Sequence, residues 1–349
     1  MNESADLIAE STRRIFRELG DPRVLRTRED GDRLWSALET AGLTRAWVPE
    51  ALKGSGAAIS DGFDILRIAG EFAVGIPLGE ALLAGWLLQQ GNIPVPRGII
   101  TIAPVDLRDH FTVNAAGMLS GTARAIPFAR IASGVAVLAR RDQSSWVALV
   151  DRNLCEVAEH ANLAQDSRDT VSARDAALRT LSTTTIDFDA MLLMGAAVRC
   201  MQMAGALQGI LDLSVGYANE RVAFERPIGK FQAIQHSLAR LAGEAAAALA
   251  AAGSAADALS RAASFDSQVL LEVASAKIRV GEAADAGAAI AHQVHGALGF
   301  SQDYVLHRYT RRLWAWRDDF GSESYWAVRL GQLVARNGAD ALWPMLAEC

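Results

Sequence analysis

The segment Arg221-Val-Ala-Phe224-Glu-Arg226-Pro-Ile228-Gly229-Lys-Phe231-Gln232 concentrates groups able to hold a phosphorylated, planar ligand. A guanidinium such as Arg221 can pair with phosphate oxygens as a two-pronged fork. Backbone N–H groups at a helix start near Phe231 would add a weak positive pole. Phe224 and Phe231 could flank a ring. The plainer alternative is a structural turn whose arginines pair with Glu220 or Glu225. A second constellation is Gln293-Val-His295-Gly296-Ala297-Leu298-Gly299-Phe300. Its glycines would end a long helix and permit close approach of another group, or serve simply as a helix C-cap. The third, Arg311-Arg312-Leu-Trp314-Ala-Trp316-Arg317-Asp318-Asp319-Phe320-Gly321-Ser322-Glu323, crowds charges and aromatics at what reads as a loop–helix boundary. Asp318 and Asp319 would supply negative charge to the following helix, or one of them could act as a base. His292, His295 and His307 lack the carboxylate spacing of a metal site and are expected to pack or cap. The cysteines, Cys155, Cys200 and Cys349, are distant and odd in number. They form no C-x-x-C pair, which argues against zinc or a disulfide framework and for two buried hydrophobes plus a C-terminal thiol.

The elements that must position these residues fall into three stretches. The chain has 349 residues, 51% of them hydrophobic, ample for a core and against disorder. A net charge of −6 argues against a general nucleic-acid binder. The first residues are acidic with no apolar run before Leu7, unlike a signal peptide. The Ala-rich run from Glu244 to Ser260 falls short of the roughly 20 strongly apolar residues that a span requires. The expectation is a soluble protein of a reducing compartment, the cytoplasm.

Residues 1–95 read as helical: Ile8, Ile15, Phe16 and Leu19 share a face, as do Leu34, Trp35, Leu38 and Ala41, and Ser60 or Asp61 can cap a helix carrying Phe63 to Ile68. Residues 96–189 change to a period of two. Gly98–Ala103, Val135–Ala139, Ser145–Val150 and Ser182–Phe188 read as strands of a small β-sandwich or barrel with antiparallel connections. Residues 190–349 are helical again. Helices over Met191–Arg221, from Phe231 onward, over Phe265–His292 and over Asp318–Ala335 make an antiparallel four-helix bundle whose Ala-rich faces allow close approach. The fold class is α+β, mainly α. No strand runs into G-x-G-x-x-G and no G-x-x-x-x-G-K-[ST] occurs, so Rossmann or P-loop nucleotide binding is unsupported.

The three constellations, in this order and on these elements, resemble the acyl-CoA dehydrogenase family. Leu34-Trp35, Ala41-Gly42-Leu43 and Trp47-Val48-Pro49-Glu50 resemble the entry to that family's first helical domain, and Leu119–Pro127 resembles a strand pair of its middle β domain. The resemblance covers about residues 25–345. It implies FAD bound between two subunits of a dimer, usually within a tetramer. It also implies removal of the α-proton of an acyl-CoA thioester by a Glu, with the β-hydride passing to the flavin. Arg221 matches the arginine on the FAD pyrophosphate. Phe224, Ile228, Phe231 and Gln232 match positions lining the adenosine half. Gln293, Gly296 and Ala297 match the contact reaching across from a partner subunit, and Ser322 matches a hydroxyl near FAD. An electron-transferring flavoprotein is the acceptor the family implies, with no nucleic acid or membrane involved.

The departures from the family are specific. Its usual base positions fall here on Phe320 and Gly195, neither of which takes a proton. Asp319 could substitute for the first if the loop shifted by one residue. Where the family carries Thr-Glu-Pro and Gly-Ser-Asp to hold flavin and thioester, this chain has Ile100-Thr-Ile-Ala-Pro104-Val-Asp106 and then Leu-Arg-Asp. Only Thr101 or Asp106 echoes that set. The resemblance therefore implies a base-lacking subunit of a heteromeric α2β2 enzyme, a form the family uses for bacterial sterol side chains. The alternatives are a self-sufficient homomeric dehydrogenase using Asp319, a flavin-free binding or structural homologue, and, more remotely, a related-fold monooxygenase.

Overall fold

A computed structural model of the chain describes residues 3–23, 25 and 27–347. Cys349, expected as a terminal thiol, lies outside the described residues. The first four helices are α1 (Glu3–Leu19), α2 (Arg28–Thr40), α3 (Ile59–Phe72) and α4 (Leu78–Gln90). Of the α1 stripe, Phe16 is fully buried and Leu19 lies at its exposed end. The cap of α3 is Asp61, whose carboxylate reaches back to the N–H of Ala58 at 3.1 Å, one half of a capping box.

Eight strands follow: β1 (Ile100–Ala103), β2 (His110–Val113), β3 (Leu119–Pro127), β4 (Gly134–Arg141), β5 (Ser144–Asp151), β6 (Glu156–Ala158), β7 (Arg168–Ala176) and β8 (Leu178–Thr184). They form one sheet in the order β6-β7-β3-β2-β4-β5-β8, with β1 pairing to β4. The connections are not all antiparallel as expected: β1 and β2 both run parallel to β4. β4 is buried along its first six residues, because it is paired on both edges at the centre of the sheet. The last strand lies four residues earlier than the alternation of Ser182–Phe188 suggested, and Phe188 instead opens a helix.

That helix, α5 (Phe188–Glu220), is long and apolar enough to cross a membrane, yet its most apolar stretch is wholly buried in the fold. A two-residue hairpin, β9 (Val222–Ala223) with β10 (Arg226–Pro227), leads into α6 (Gln232–Arg261), α7 (Ser267–His295), α8 (Leu306–Arg317), α9 (Glu323–Asn337) and α10 (Leu342–Ala347). α6 and α7 pack against each other, and both carry buried alanines, among them Ala245, Ala248 and Ala252 on α6 and Ala276, Ala283 and Ala284 on α7. Small side chains permit this close approach over many turns, as the composition suggested.

Among the described residues, the last stretch carries two helices beyond the four expected, α8 and the short α10. Leu306, Tyr309, Leu313 and Trp316 are buried at spacings of three and four, so α8 occupies what read as a loop before a helix. The following helix starts at Glu323 rather than Asp318. Compact packing divides the chain into two units rather than along the three stretches 1–95, 96–189 and 190–349. One unit holds residues 1–30, 63–74 and 196–349; the other holds 31–62 and 75–195.

Candidate functional site

Arg221 follows directly on α5, and its backbone remains hydrogen-bonded, the N–H to Tyr217 O and the carbonyl to Ile228 N–H, both at 2.8 Å. Its guanidinium is exposed and, among the described residues, neither ion-paired nor hydrogen-bonded; Glu220 and Glu225 do not claim it. The hairpin turns through Phe224 (φ 49°) and Glu225 (φ 65°), a pair of left-handed residues that closes a two-residue loop. That turn presents the Phe224 ring 89% exposed, an unusual placement for a large apolar side chain. Phe224 and Phe231 meet edge to face at 6.2 Å, so they do not form a parallel slot for a ring. The Arg226 guanidinium covers Phe231 at 4.3 Å. Gln232 begins α6 and is exposed, while Ile228 is half-buried.

The end of α7 has the same character. Gln293, Gly296 and Ala297 are exposed, and Phe300 is 75% exposed. The two glycines divide the work. Gly296 caps the helix with φ +58° and has open space where a side chain would point. Gly299 is buried, and a Cβ there would crowd His295, Leu306 and His292 at 3.1–3.3 Å. His292 pairs with Thr310 Oγ1 at 3.1 Å, His295 donates to Ala291 O at 2.8 Å, and His307 donates to Tyr304 O at 2.6 Å. Each histidine packs or caps, as expected. Burial lowers both His292 and His295 below the ordinary imidazole value. The rings of Tyr217 and His295 stack at 4.5 Å. The tips of α5 and α7, and with them Arg221 and the Gln293–Gly296 turn, are therefore neighbours on one chain.

The third constellation is closed. Asp319 is 7% exposed and its Oδ2 accepts from Arg199 Nε at 2.8 Å; Arg199 is itself 3% exposed and also donates to Gln202 Oε1 at 2.6 Å. Asp319 was expected as a substitute base, but its carboxylate holds a buried guanidinium and does not face solvent. Phe320 is buried at φ +55°, its ring 5.8 Å from the Arg199 Cζ, and its carbonyl accepts from Trp326 Nε1 at 3.0 Å. From α7, fully buried Lys277 donates to Arg317 O at 2.5 Å and Gly321 O at 2.8 Å; burial pulls its ammonium down to about 8. One turn along α7, a Cβ on Gly281 would sit 2.1 Å from Glu323 Oε1, so a side chain there would push the Glu323 carboxylate aside. Arg317 bridges Glu323 at 2.6 Å and Asp285 at 3.2 Å. Ser322 caps α9, its oxygen accepting from Tyr325 N–H, which leaves the O–H free to donate. Asp318 and Asp319 precede that cap and do not charge the helix start. Gly195, which the resemblance matched to a second base position, is buried in α5.

In the sheet unit, neither echo of the flavin-holding set is free. Thr101 is fully buried and its hydroxyl donates to Pro127 O at 2.6 Å. Asp106 pairs with Arg108 at 2.6 Å, which holds its carboxyl down at about 2. A cavity of about 490 Å³ does border this segment, lined by Leu107, Asp109, His110, Phe111, Arg140 and Phe188 among others. Cys155 and Cys200 are buried, and burial pushes their thiols up to about 11 and 12, so neither is a ready nucleophile.

Sequence reading missed Arg199 and Lys277. Both had a visible sign: each is a lone cation on an otherwise apolar helical stripe, between Val198 and Cys200 in α5 and between Val273 and Val280 in α7. Such a charge is retained only where the fold supplies partners.

The family described as "Acyl-CoA dehydrogenase, C-terminal domain" matches residues 153–317. The acyl-CoA dehydrogenase IpdE2 of Mycobacterium tuberculosis is 25% identical over 317 residues, covering 89% of this chain and 91% of that protein. Among solved structures, a chain of the ChsE4-ChsE5 complex from Mycobacterium tuberculosis superposes with a TM-score of 0.85 at 23% identity, covering 97% of this chain and 99% of that one. An acyl-CoA dehydrogenase from Bacillus anthracis complexed with FAD superposes at 0.80 with 19% identity, covering 96% of this chain and 68% of that one.

Proposed function

Because the chain belongs to the acyl-CoA dehydrogenase family, we propose that it serves α,β-dehydrogenation of an acyl-CoA thioester as the subunit that holds FAD by its pyrophosphate side while a second, family-related chain supplies the base. The observation that carries this reading is Phe320. The family's base position is occupied here by a buried aromatic ring, and the adjacent carboxylate is committed to Arg199.

The residues fit FAD on one side only. Arg221 is an uncommitted, exposed guanidinium suited to a pyrophosphate. Gln293 and the open backbone at Gly296 lie beside it, through the Tyr217–His295 stack, so one chain would present both to a single cofactor. Phe224 and Ile228 offer apolar surface to the adenosine half. On the other side, Thr101 and Asp106 are spent on their own unit. When bound, FAD supplies the acceptor for the hydride leaving the acyl β-carbon. This chain's residues would bind and orient its ADP half; proton removal at the α-carbon falls to the other chain. Without a base, the roughly 10²–10⁴-fold contribution of general-base catalysis is lost. The ChsE4-ChsE5 neighbour is itself a complex, which supports this reading.

A homomeric enzyme using Asp319 would require that carboxylate to abandon a buried arginine, which is costly. The test is the visible spectrum and solution mass of the chain expressed alone and with a candidate second chain, followed by acyl-CoA oxidation coupled to an electron-transferring flavoprotein. The expected result is little flavin alone and one flavin per pair of unlike chains together. A yellow protein with one flavin per chain and full acyl-CoA oxidation by itself would overturn the proposal.

A further inference from the structure

Between the two exposed segments lies a cluster of three rings. His295 stacks on Tyr217 at 4.5 Å with 25° between planes, and meets Tyr304 at 5.2 Å and 47°. The two tyrosines approach edge to face at 6.2 Å and 61°. Tyr217 lies one helical turn before Arg221, and His295 lies two residues after Gln293 and immediately before Gly296. The cluster is thus the packing that joins the tip of α5 to the tip of α7.

His295 has features that ordinary core filling does not require. It is 3% exposed; Nδ1 donates to Ala291 O, and Nε2 is buried with no partner. Leaving a buried ring nitrogen unpaired is unfavourable, and an aliphatic side chain would avoid it. An aliphatic side chain would lack the flat faces that stack on a tyrosine and fix its ring plane. Tyr217 and Tyr304 are only half-buried, so they rely on this ring to hold them. The imidazole meets the rings of Tyr217 on α5 and Tyr304 before α8, with His292 beside it on α7; Tyr304 in turn faces Glu220 and Arg23 and accepts from His307 at its carbonyl.

We propose that His295, held between Tyr217 and Tyr304, is a positioning residue that sets the spacing between the Arg221 guanidinium and the Gln293–Gly296 edge, so that both act as one face toward a diphosphate ligand. The ligand half of this statement rests on the function proposed above; the spacing half stands on the ring geometry alone. A diphosphate bridging two groups on separate helix tips needs their separation fixed in advance, and loose spacing forfeits affinity.

The test compares His295→Leu, which removes the ring, with His295→Phe, which keeps the stack and removes the ring nitrogens. Hydrogen exchange on the full chain needs no ligand. His295→Leu is expected to speed exchange in both 221–228 and 296–300, leaving the middle of α6 unchanged, and His295→Phe to restore the slow rates. ADP and FAD titrations of the assembled protein should then show weakening on the order of tenfold in His295→Leu only. The proposal is overturned if His295→Leu loosens only its own segment, or if His295→Phe fails as badly as His295→Leu. If His295→Leu does not fold, Tyr217→Leu against Tyr217→Phe asks the same question from α5. Wild-type protein that shows the exchange coupling yet binds neither FAD nor ADP in any assembly would sink the function proposed above and leave the spacing role standing.

Discussion

The tips of α5 and α7 and the loop between α8 and α9 belong to the same compact unit, yet they treat their polar groups in opposite ways. At the tips, the Arg221 guanidinium has no partner among the described residues, Gln293 is exposed, Gly296 leaves open space and Phe224 stands in solvent. In the loop, Asp319 is spent on Arg199, Lys277 on two backbone carbonyls and Arg317 on Glu323 and Asp285, while the Ser322 oxygen caps a helix. A surface waiting for a ligand leaves binding groups unsatisfied, because water meets their needs until the ligand arrives. A loop whose buried charges are paired within the fold is built to stay shut. The two constellations looked equally chemical as strings of residues; their hydrogen bonding separates them.

The sharpest way to break this comparison is Asp319→Asn. If the carboxylate is structural, buried Arg199 loses its carboxylate partner, and chemical denaturation should show a loss of about 3–5 kcal/mol. Unchanged stability with abolished turnover would make Asp319 a base after all. Next comes Arg221→Ala, which should weaken flavin retention by about 1.5–3 kcal/mol, the size of a hydrogen bond to a charged group. Because that side chain is exposed, the unfolding midpoint should hold to within about 0.5 kcal/mol; equal flavin retention would remove Arg221 from the site. Lys277→Met orphans Arg317 O and Gly321 O and should cost about 1–3 kcal/mol, with faster amide exchange confined to 317–322.

The smallest effect is pH-dependent. His292 and His295 both have folded values below their unfolded value near 6.5, so the unfolded chain binds protons more readily. Their stabilisation is complete above about pH 6.5 and is lost as pH falls through the lowered values. Unfolding midpoints should therefore decline as pH falls below about 6.5, less so in His295→Phe. A flat profile down to pH 5 would show that neither ring is held neutral.

Much of the architecture was legible because periodicity reports burial directly. The α5 stripe, the buried alanines of α6 and α7, and the strands at Val135–Ala139 and Ser145–Val150 all lie where their spacing put them. The parallel pairing of β1 and β2 with β4 was not legible, since a short apolar strand carries no mark of its neighbour's direction. The α8 face at Leu306, Tyr309, Leu313 and Trp316 was masked by the surrounding arginines. In the candidate site, Arg221, Phe224, Gln293 and Gly296 were visible by type and spacing. The partner of Asp319 was not, because Arg199 lies 120 residues away.

By itself, the sequence determined which residues exist to do chemistry: a phenylalanine and a glycine where the resemblance places a base, and an arginine followed by a turn signature. It also determined the helical and strand periods, which are local properties of the chain. Only the tertiary structure decided which charges are free. Whether Asp319 is a base or a strut, whether Thr101 can reach a ligand, and whether Arg221 and Gln293 act together all depend on partners far away in sequence. An ion pair or a ring stack forms between surfaces brought together by burial, and no local pattern encodes which surfaces those will be.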